Sequence, residues 1–398
     1  MTDQLKRKLG TPLLVFYGVG IMVGAGIYVL VGAAAGAAGI YAPLAFLAAG
    51  LIALPTAATY AELSSRIPKS AGEAAYLMRA FGSPALSQAV GLLTVVTGTI
   101  AAAVVLQGGV GYLQRLIPWD TQTLTIVMGA VLTLVAISGV VESLAMAAIF
   151  TVVEVVGLLI VSYVGLTGPQ SVEWVTTPAL AAQGGFSGLA FAGILAFFAF
   201  IGFEDLVNMA EETRNPERTM PRAIYWSLGI TTVLYIMVTF AAVRTVGIDA
   251  LGQSRQPLAL VYEVATQKSA AFLAVIAVAA ATNGVLAQII LAARVLFGLG
   301  ENAAWLSVFT HAHARFGTPV LATVLGGVTV ILAALYLPLV TLAELTSIFL
   351  LALFASMNLT LIVIKRSEPD APYCVHMAVP WAGLVLSGAA LIMSLVWV

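Results

Sequence analysis

Charge is what this 398-residue chain has least of. Asp, Glu, Lys and Arg together make up 9% of it, against about a quarter in soluble domains. The 17 Lys+Arg balance 18 Asp+Glu, so there is no basic face with which to bind nucleic acid. A single cysteine, Cys374, excludes an internal disulfide framework. Only three histidines are present, His311, His313 and His376, all outside the apolar runs, which argues against a buried metal site or a histidine proton relay. No HExxH, GxSxG or paired-aspartate motif interrupts those runs, so the chain is read as no enzyme, with no cofactor and no metal.

What the chain has in excess is hydrocarbon. It is 61% hydrophobic, with a mean hydropathy of +1.04. Eleven runs approach the roughly 20 residues that cross about 30 Å of hydrocarbon: 12–37, 42–63, 85–113, 122–141, 145–167, 187–210, 223–246, 270–298, 318–336, 340–364 and 378–397. Lipid admits only helices or closed barrels, and runs this long and uniform are helices. The expected fold class is an all-α polytopic membrane protein of eleven transmembrane helices.

With the N-terminus in the cytoplasm, thirteen basic residues fall inside and four outside, namely Arg115, Arg244, Arg255 and Lys268. That bias supports the orientation, a C-terminus outside and the span count. The opening "KRK" and the later "GAAAGAAG" imitate a signal peptide, but the intervening run exceeds a typical h-region of about 7–15 residues, which argues against cleavage. Three loops look structured. Ser64–Gly82 reads as an amphipathic stretch inside, Glu212–Ala223 as a charged inner loop, and Ile248–Gln267 as an outer loop with a helix from Pro257 to Ala265.

Segment one is built from residues that help a helix break. "FYGVGIMVGAGIYVLVGAAAG" holds six glycines, each weakening a helix by about 1 kcal/mol relative to alanine. A helix interrupted in mid-membrane bares N–H groups on one side and carbonyls on the other, tolerated only against protein or a cavity. The half-helix N-terminus then attracts a carboxylate, and the unwound carbonyls attract an ammonium group or sodium. Close helix packing through small-xxx-small spacing explains the glycines equally well. Segment six tips the balance. In "LAFFAFIGFEDLVNMAEETRNPERTMPRAI" a lone glycine, Gly202, precedes Glu204 and Asp205, and intramembrane carboxylates mark function by default. Disrupted segments in matching positions of two halves point to a transporter with inverted repeats.

"GIMVGAGIY", "IPKSAGEAAYLMRAFG", the segment-six string and "AARVLFGLGENAAWL…HARFGTP" resemble the amino acid–polyamine–organocation permeases. The resemblance implies a leucine-transporter-type fold: a first inverted repeat in 1–167, a second in 187–364, and an appended loop and helix in 365–398. Eleven helices depart from the family's usual twelve. It also implies secondary transport by alternating access, helices one, two, six and seven rocking against three, four, eight and nine. By the same resemblance, the first break and its flanks, Val23, Gly24, Ala25, Gly26 and Ile27, receive the substrate carboxylate. The ammonium meets carbonyls around Phe197, Phe198, Ala199, Ile201 and Gly202, under an aromatic lid from Phe198. Glu204 serves as gate or hydrogen-bond organiser.

Several proton-coupled relatives carry a lysine where this chain has Glu154, in segment five. Glu154 is therefore the candidate coupling residue, the alternative being a structural carboxylate paired with an arginine such as Arg294. Asn283 faces the substrate or bonds across helices, and Glu62 joins an inner network. The reading is a transporter of amino acids or small amines, leaning to neutral ones, by symport or exchange with a proton, sodium being the alternative ion. It sits in the cell membrane; with no outer-face cysteine, no disulfide-linked heavy chain is expected. The competing class is a non-transporting sensor of the same ligand, disfavoured by the lack of a signalling domain.

Overall fold

The computed structural model describes residues 9–69, 72–139, 144–171, 185–313 and 317–397; Lys6, Arg7, Lys8 and Arg315, counted among the inner basic residues, lie outside them. Among the described residues fourteen α-helices follow in order: α1 Thr11–Ala38, α2 Ala42–Arg66, α3 Gly72–Phe81, α4 Pro84–Leu113, α5 Thr121–Ile137, α6 Leu144–Thr167 and α7 Gly185–Phe198. After them come α8 Pro216–Thr245, α9 Ile248–Gln253, α10 Pro257–Thr266, α11 Ala271–Asn302, α12 Val320–Tyr336, α13 Leu339–Ser367 and α14 Ala378–Trp397. No strand occurs among the described residues, only an isolated bridge between Leu9 and Thr213.

Local chemistry sets the starts. Proline stands in the first turn of α1, α2, α4, α8 and α10, where its missing N–H costs nothing. Ser83 caps α4 at the Leu86 N–H, and Asp120 caps α5 by accepting from the Thr123 N–H at 2.9 Å. Hydrogen bonding from Thr123, its side chain first and its N–H second, holds the exposed Asp120 carboxyl below its ordinary pKa.

Each of the eleven apolar runs carries a helix, and among the described residues seven helical stretches are long and apolar enough to cross a membrane. Two boundaries differ from the sequence reading. The run 122–141 ends as helix at Ile137, and the run 187–210 is not one rod: α7 stops at Phe198 and a 3-10 turn occupies Asp205–Glu212. The amphipathic inner stretch is α3, and the outer-loop helix is α10, one residue longer than expected.

The helices sort into two packed groups. α1 and α2 pack together and against both α7 and α8, while α4, α5, α11 and α12 lie against one another; α13 reaches both groups. Each group has its own apolar core. One holds Val23, Phe46, Phe197, Phe200 and Tyr235; the other holds Ala102, Leu106, Leu132, Val285 and Phe198. These are the groups proposed to move as bundle and scaffold. Just past α4, Arg115 binds Glu263 of α10, and this hydrogen bond lowers the Glu263 carboxyl below its ordinary pKa.

At the opposite end the core is tied by charge. Glu62 of α2, fully buried, accepts from Lys365 Nζ at 2.9 Å, from Arg66 and from the Val375 N–H at 2.8 Å. Arg66 also donates to the Glu368 carbonyl at 2.7 Å, and Tyr225 and Tyr373 hydroxyls meet at 2.8 Å. The loop between α13 and α14 is thereby strapped across α2 and α8, the loop network expected of Glu62.

Candidate functional site

α1 is broken where its glycines predict. Gly24 leaves the helix at φ −7°, ψ −168°, and the helix resumes beyond it, so the N–H groups of the second half's first turn lose their partners four residues back. Val23 and Ile27 flank the break with fully buried side chains. A Cβ built on Gly24 meets no atom within 4 Å, whereas one on Gly26 would sit 3.2 Å from Cε1 of Phe198. Open space thus lies beside Gly24, and the Phe198 ring covers the next turn.

The second break begins earlier than Gly202. Three tight turns follow α7, the N–H groups of Ala199, Phe200 and Ile201 donating to the carbonyls of Ala196, Phe197 and Phe198 at 3.0–3.1 Å. Carbonyls expected to be bare therefore already accept one bond each, leaving their second lone pairs. Gly202 then takes φ +124°, a conformation glycine alone adopts readily. A Cβ there would press into Ile21, so the second break packs directly on the first. Glu204 folds back and accepts from the Gly202 N–H at 3.0 Å, which fits the organiser role the resemblance implied.

A tyrosine that sequence reading passed over joins the two breaks. Tyr235 of α8 is fully buried, and its hydroxyl donates to the Met22 carbonyl and, at 2.7 Å, to the Ala199 carbonyl. One proton is shared between an acceptor two residues before Gly24 and one just after Phe198. The signal was available, since a tyrosine in the middle of an apolar span must place its hydroxyl somewhere. Phe46 and Phe200 pack edge-on against its ring at 5.7 and 5.2 Å. The paired breaks lie on the seam of the two cores, Phe197 in one and Phe198 in the other.

Glu154 lies beside this region with a side chain 3% exposed. Its backbone carbonyl accepts from the Tyr28 hydroxyl at 3.0 Å, and Tyr112 donates to the Tyr28 carbonyl at 2.8 Å. Thr151, one turn earlier, donates to the Phe16 carbonyl at 3.1 Å. α6 thus runs along α1 past the break and carries Glu154 to it. The pairing of Glu154 with Arg294 does not occur; Arg294 lines a separate pocket near the far end of α11. Asn283 is half-buried on α11, and among the described residues no hydrogen bond joins it to either broken segment.

Access is one-sided. A cavity of about 500 Å³ opens toward the Ala38 end of α1, between Ala33 and Gly36 of α1, Phe191 and Leu195 of α7, and Val340 of α13. Leu195 is one turn from Phe198. Toward Leu9 the path is shut: Leu14, Val19, Leu206 and Val207 are buried. The Leu9 N–H donates to the Glu212 carbonyl at 3.0 Å, and the Leu9 carbonyl accepts from the Arg214 N–H at 2.9 Å. Below the breaks, Tyr60 donates to Glu73 of α3 at 3.1 Å, and burial raises the Glu73 carboxyl above its ordinary pKa.

Comparison with known proteins agrees with this geometry. The branched-chain amino acid permease BcaP of Bacillus subtilis is 28% identical over 99% of this chain and 89% of its own length. The chloroplastic cationic amino acid transporter 9 of Arabidopsis thaliana is 31% identical over 78% of this chain and 58% of its own. The methylthioribose transporter of Bacillus subtilis is 27% identical over 93% and 83%. The chain spans about three-fifths of the length of the cationic amino acid transporters it matches. These relatives are named as permeases and transporters, not enzymes or sensors. The profile of an amino acid permease family matches residues 9–398, and the chain belongs to that family of multi-pass membrane transporters.

Proposed function

We propose that the chain carries neutral amino acids across the cell membrane by alternating access, coupled to protons through Glu154. The observation that carries this reading is the pair of broken segments, joined by one tyrosine hydroxyl around open space at Gly24. A zwitterion suits such a gap. Its carboxylate takes the N–H groups of Gly24, Ala25, Gly26 and Ile27, and its ammonium takes the Ile201 carbonyl and the remaining lone pairs at Phe197 and Phe198. The Phe198 ring, which covers the turn after Gly24, is apolar, which favours a neutral side chain on the substrate. The branched-chain specificity in the name of one relative agrees with this.

In the proposed cycle the outer cavity admits substrate, Phe198 and Leu195 close over it, and the group holding α1, α2, α7 and α8 tilts on the other to open the Leu9 side. Residues 1–167 and 187–364 form the inverted repeats, all eleven apolar segments cross, the N-terminus is cytoplasmic and the C-terminus lies outside. Glu154 sits on α6 between these groups, where proton binding and the tilt meet.

Labelled leucine uptake and counterflow in proteoliposomes, against arginine, test the reading. Saturable counterflow for leucine supports it, and binding without counterflow sinks transport altogether. Glu154→Gln should keep counterflow and lose the pH dependence of net uptake. PH dependence retained in that variant overturns the coupling role alone.

A further inference from the structure

We propose that the pocket formed by α5, α11 and α12 holds the phosphate of an anionic phospholipid in the inner leaflet, bound by Arg294. The pocket has a volume of about 270 Å³ and is lined by Ala136, Ile290, Arg294, Phe297, Thr318 and Thr323, among others. It lies across α11 from the broken segments and plays no part in the site described above.

Three observations converge on a phosphate. Arg294 makes no ion pair or hydrogen bond with any described residue; the ion pairs there engage Arg66, Arg79, Arg115 and Lys365. Arg294 is exposed at the edge of this pocket, and phosphate matches its planar fork of donors. Depth agrees as well. α11 has 32 residues, about 48 Å of helix against about 30 Å of hydrocarbon. Arg294 is about 35 Å from its start, at the level of the headgroups on the far side. By the basic-residue bias, that side is cytoplasmic, where anionic lipids concentrate. The walls suit the rest of a lipid. Thr318 and Pro319 enter α12, whose first turn turns its positive end to the pocket. Beyond the pocket, α5 and α12 expose Val131, Leu134, Leu325 and Val328 as a track for acyl chains. The volume takes a phosphoglycerol headgroup and leaves the chains outside.

The same chemistry would bind inorganic phosphate, so the test separates the two. Delipidated full-length protein in detergent is titrated with phosphatidylglycerol, phosphatidylcholine or inorganic phosphate, read by thermal shift and by lipid retention in native mass spectrometry. Phosphatidylglycerol should stabilise the protein and stay bound. Arg294→Gln should weaken it about tenfold or more, the loss of one charge-assisted hydrogen bond, whereas Arg294→Lys should retain part. Ala312→Trp, which fills the pocket and leaves the charge in place, should lose the lipid too and covers the case in which Arg294→Gln fails to fold. Equal binding in Arg294→Gln, or in Ala312→Trp, overturns the site. Stabilisation by inorganic phosphate matching that by lipid overturns the lipid assignment.

Discussion

Replacing Gly24 by alanine separates the two meanings of that glycine. If Gly24 is there for helix packing, a methyl group must strike a neighbour; if it keeps room for a ligand, the methyl enters empty space. The structure favours the second, with no atom within 4 Å of the added Cβ. Folding stability should therefore stay within about 1 kcal/mol of the parent, since Gly24 lies outside helical geometry and helix propensity does not enter. Binding should suffer, because the methyl stands where the carboxylate approaches the N–H groups. Loss of one charge-assisted hydrogen bond is worth about 1.5–3 kcal/mol, or about 10- to 150-fold in affinity. Gly202→Ala is the contrasting control. Its φ of +124° costs an L-residue about 1–2 kcal/mol. Its Cβ lands on Ile21, 3.2 Å from that residue's backbone carbonyl carbon, adding about 1–3 kcal/mol of overpacking. Thermal unfolding in detergent and concentration-dependent uptake of labelled leucine, on both variants, give the answer. An unchanged KM in Gly24→Ala, or a melting temperature depressed as far as in Gly202→Ala, refutes the argument.

Tyr235→Phe deletes the proton shared by the Met22 and Ala199 carbonyls. At about 1 kcal/mol per intramembrane hydrogen bond, transport should fall about fivefold with little loss of melting temperature; unaltered uptake refutes the role of the tie. Glu62→Ala strands the buried Lys365 ammonium and should cost about 3–5 kcal/mol. Glu62→Leu combined with Lys365→Met should recover most of it, and a melting temperature near the parent's in the single variant refutes the network. Glu73 carries a raised carboxyl, so the folded protein binds this proton more tightly than the unfolded chain. Its contribution is complete below the ordinary value of 4.5 and fades as pH rises from there through the folded pKa. Glu73→Gln, which can still accept from Tyr60, should flatten that decline and raise the melting temperature near neutrality; a profile parallel to the parent's refutes the assignment.

Sequence revealed the broad architecture because lipid leaves so few options: an apolar run of 20 residues has to be mostly helical, and each run carries a helix here. The first break was legible from Gly24 and Gly26, whose missing side chains have a direct steric meaning. The second was misplaced by four residues, because Gly202 marks where the chain reverses its φ while the helix ends at Phe198. Nothing in "LAFFAF" announces a series of tight turns. Tyr235 and the ties of Glu62 to Lys365 and Val375 escaped for another reason. Each depends on residues brought together from across the chain, up to 313 positions apart, and no local spacing records that proximity. The same holds for Arg294, whose separation from Glu154 follows only from where α11 stands.

The stitch at Leu9 is made wholly of main chain: its amide and carbonyl join the Glu212 carbonyl and the Arg214 amide. Neither bond belongs to any side chain, so almost every replacement at those three positions would leave the knot tied, proline being the exception. The leading end of one snapped rod is thus lashed to the trailing end of the other by a fastening that mutation can hardly reach. Whatever pulls one of them aside must carry its mate along.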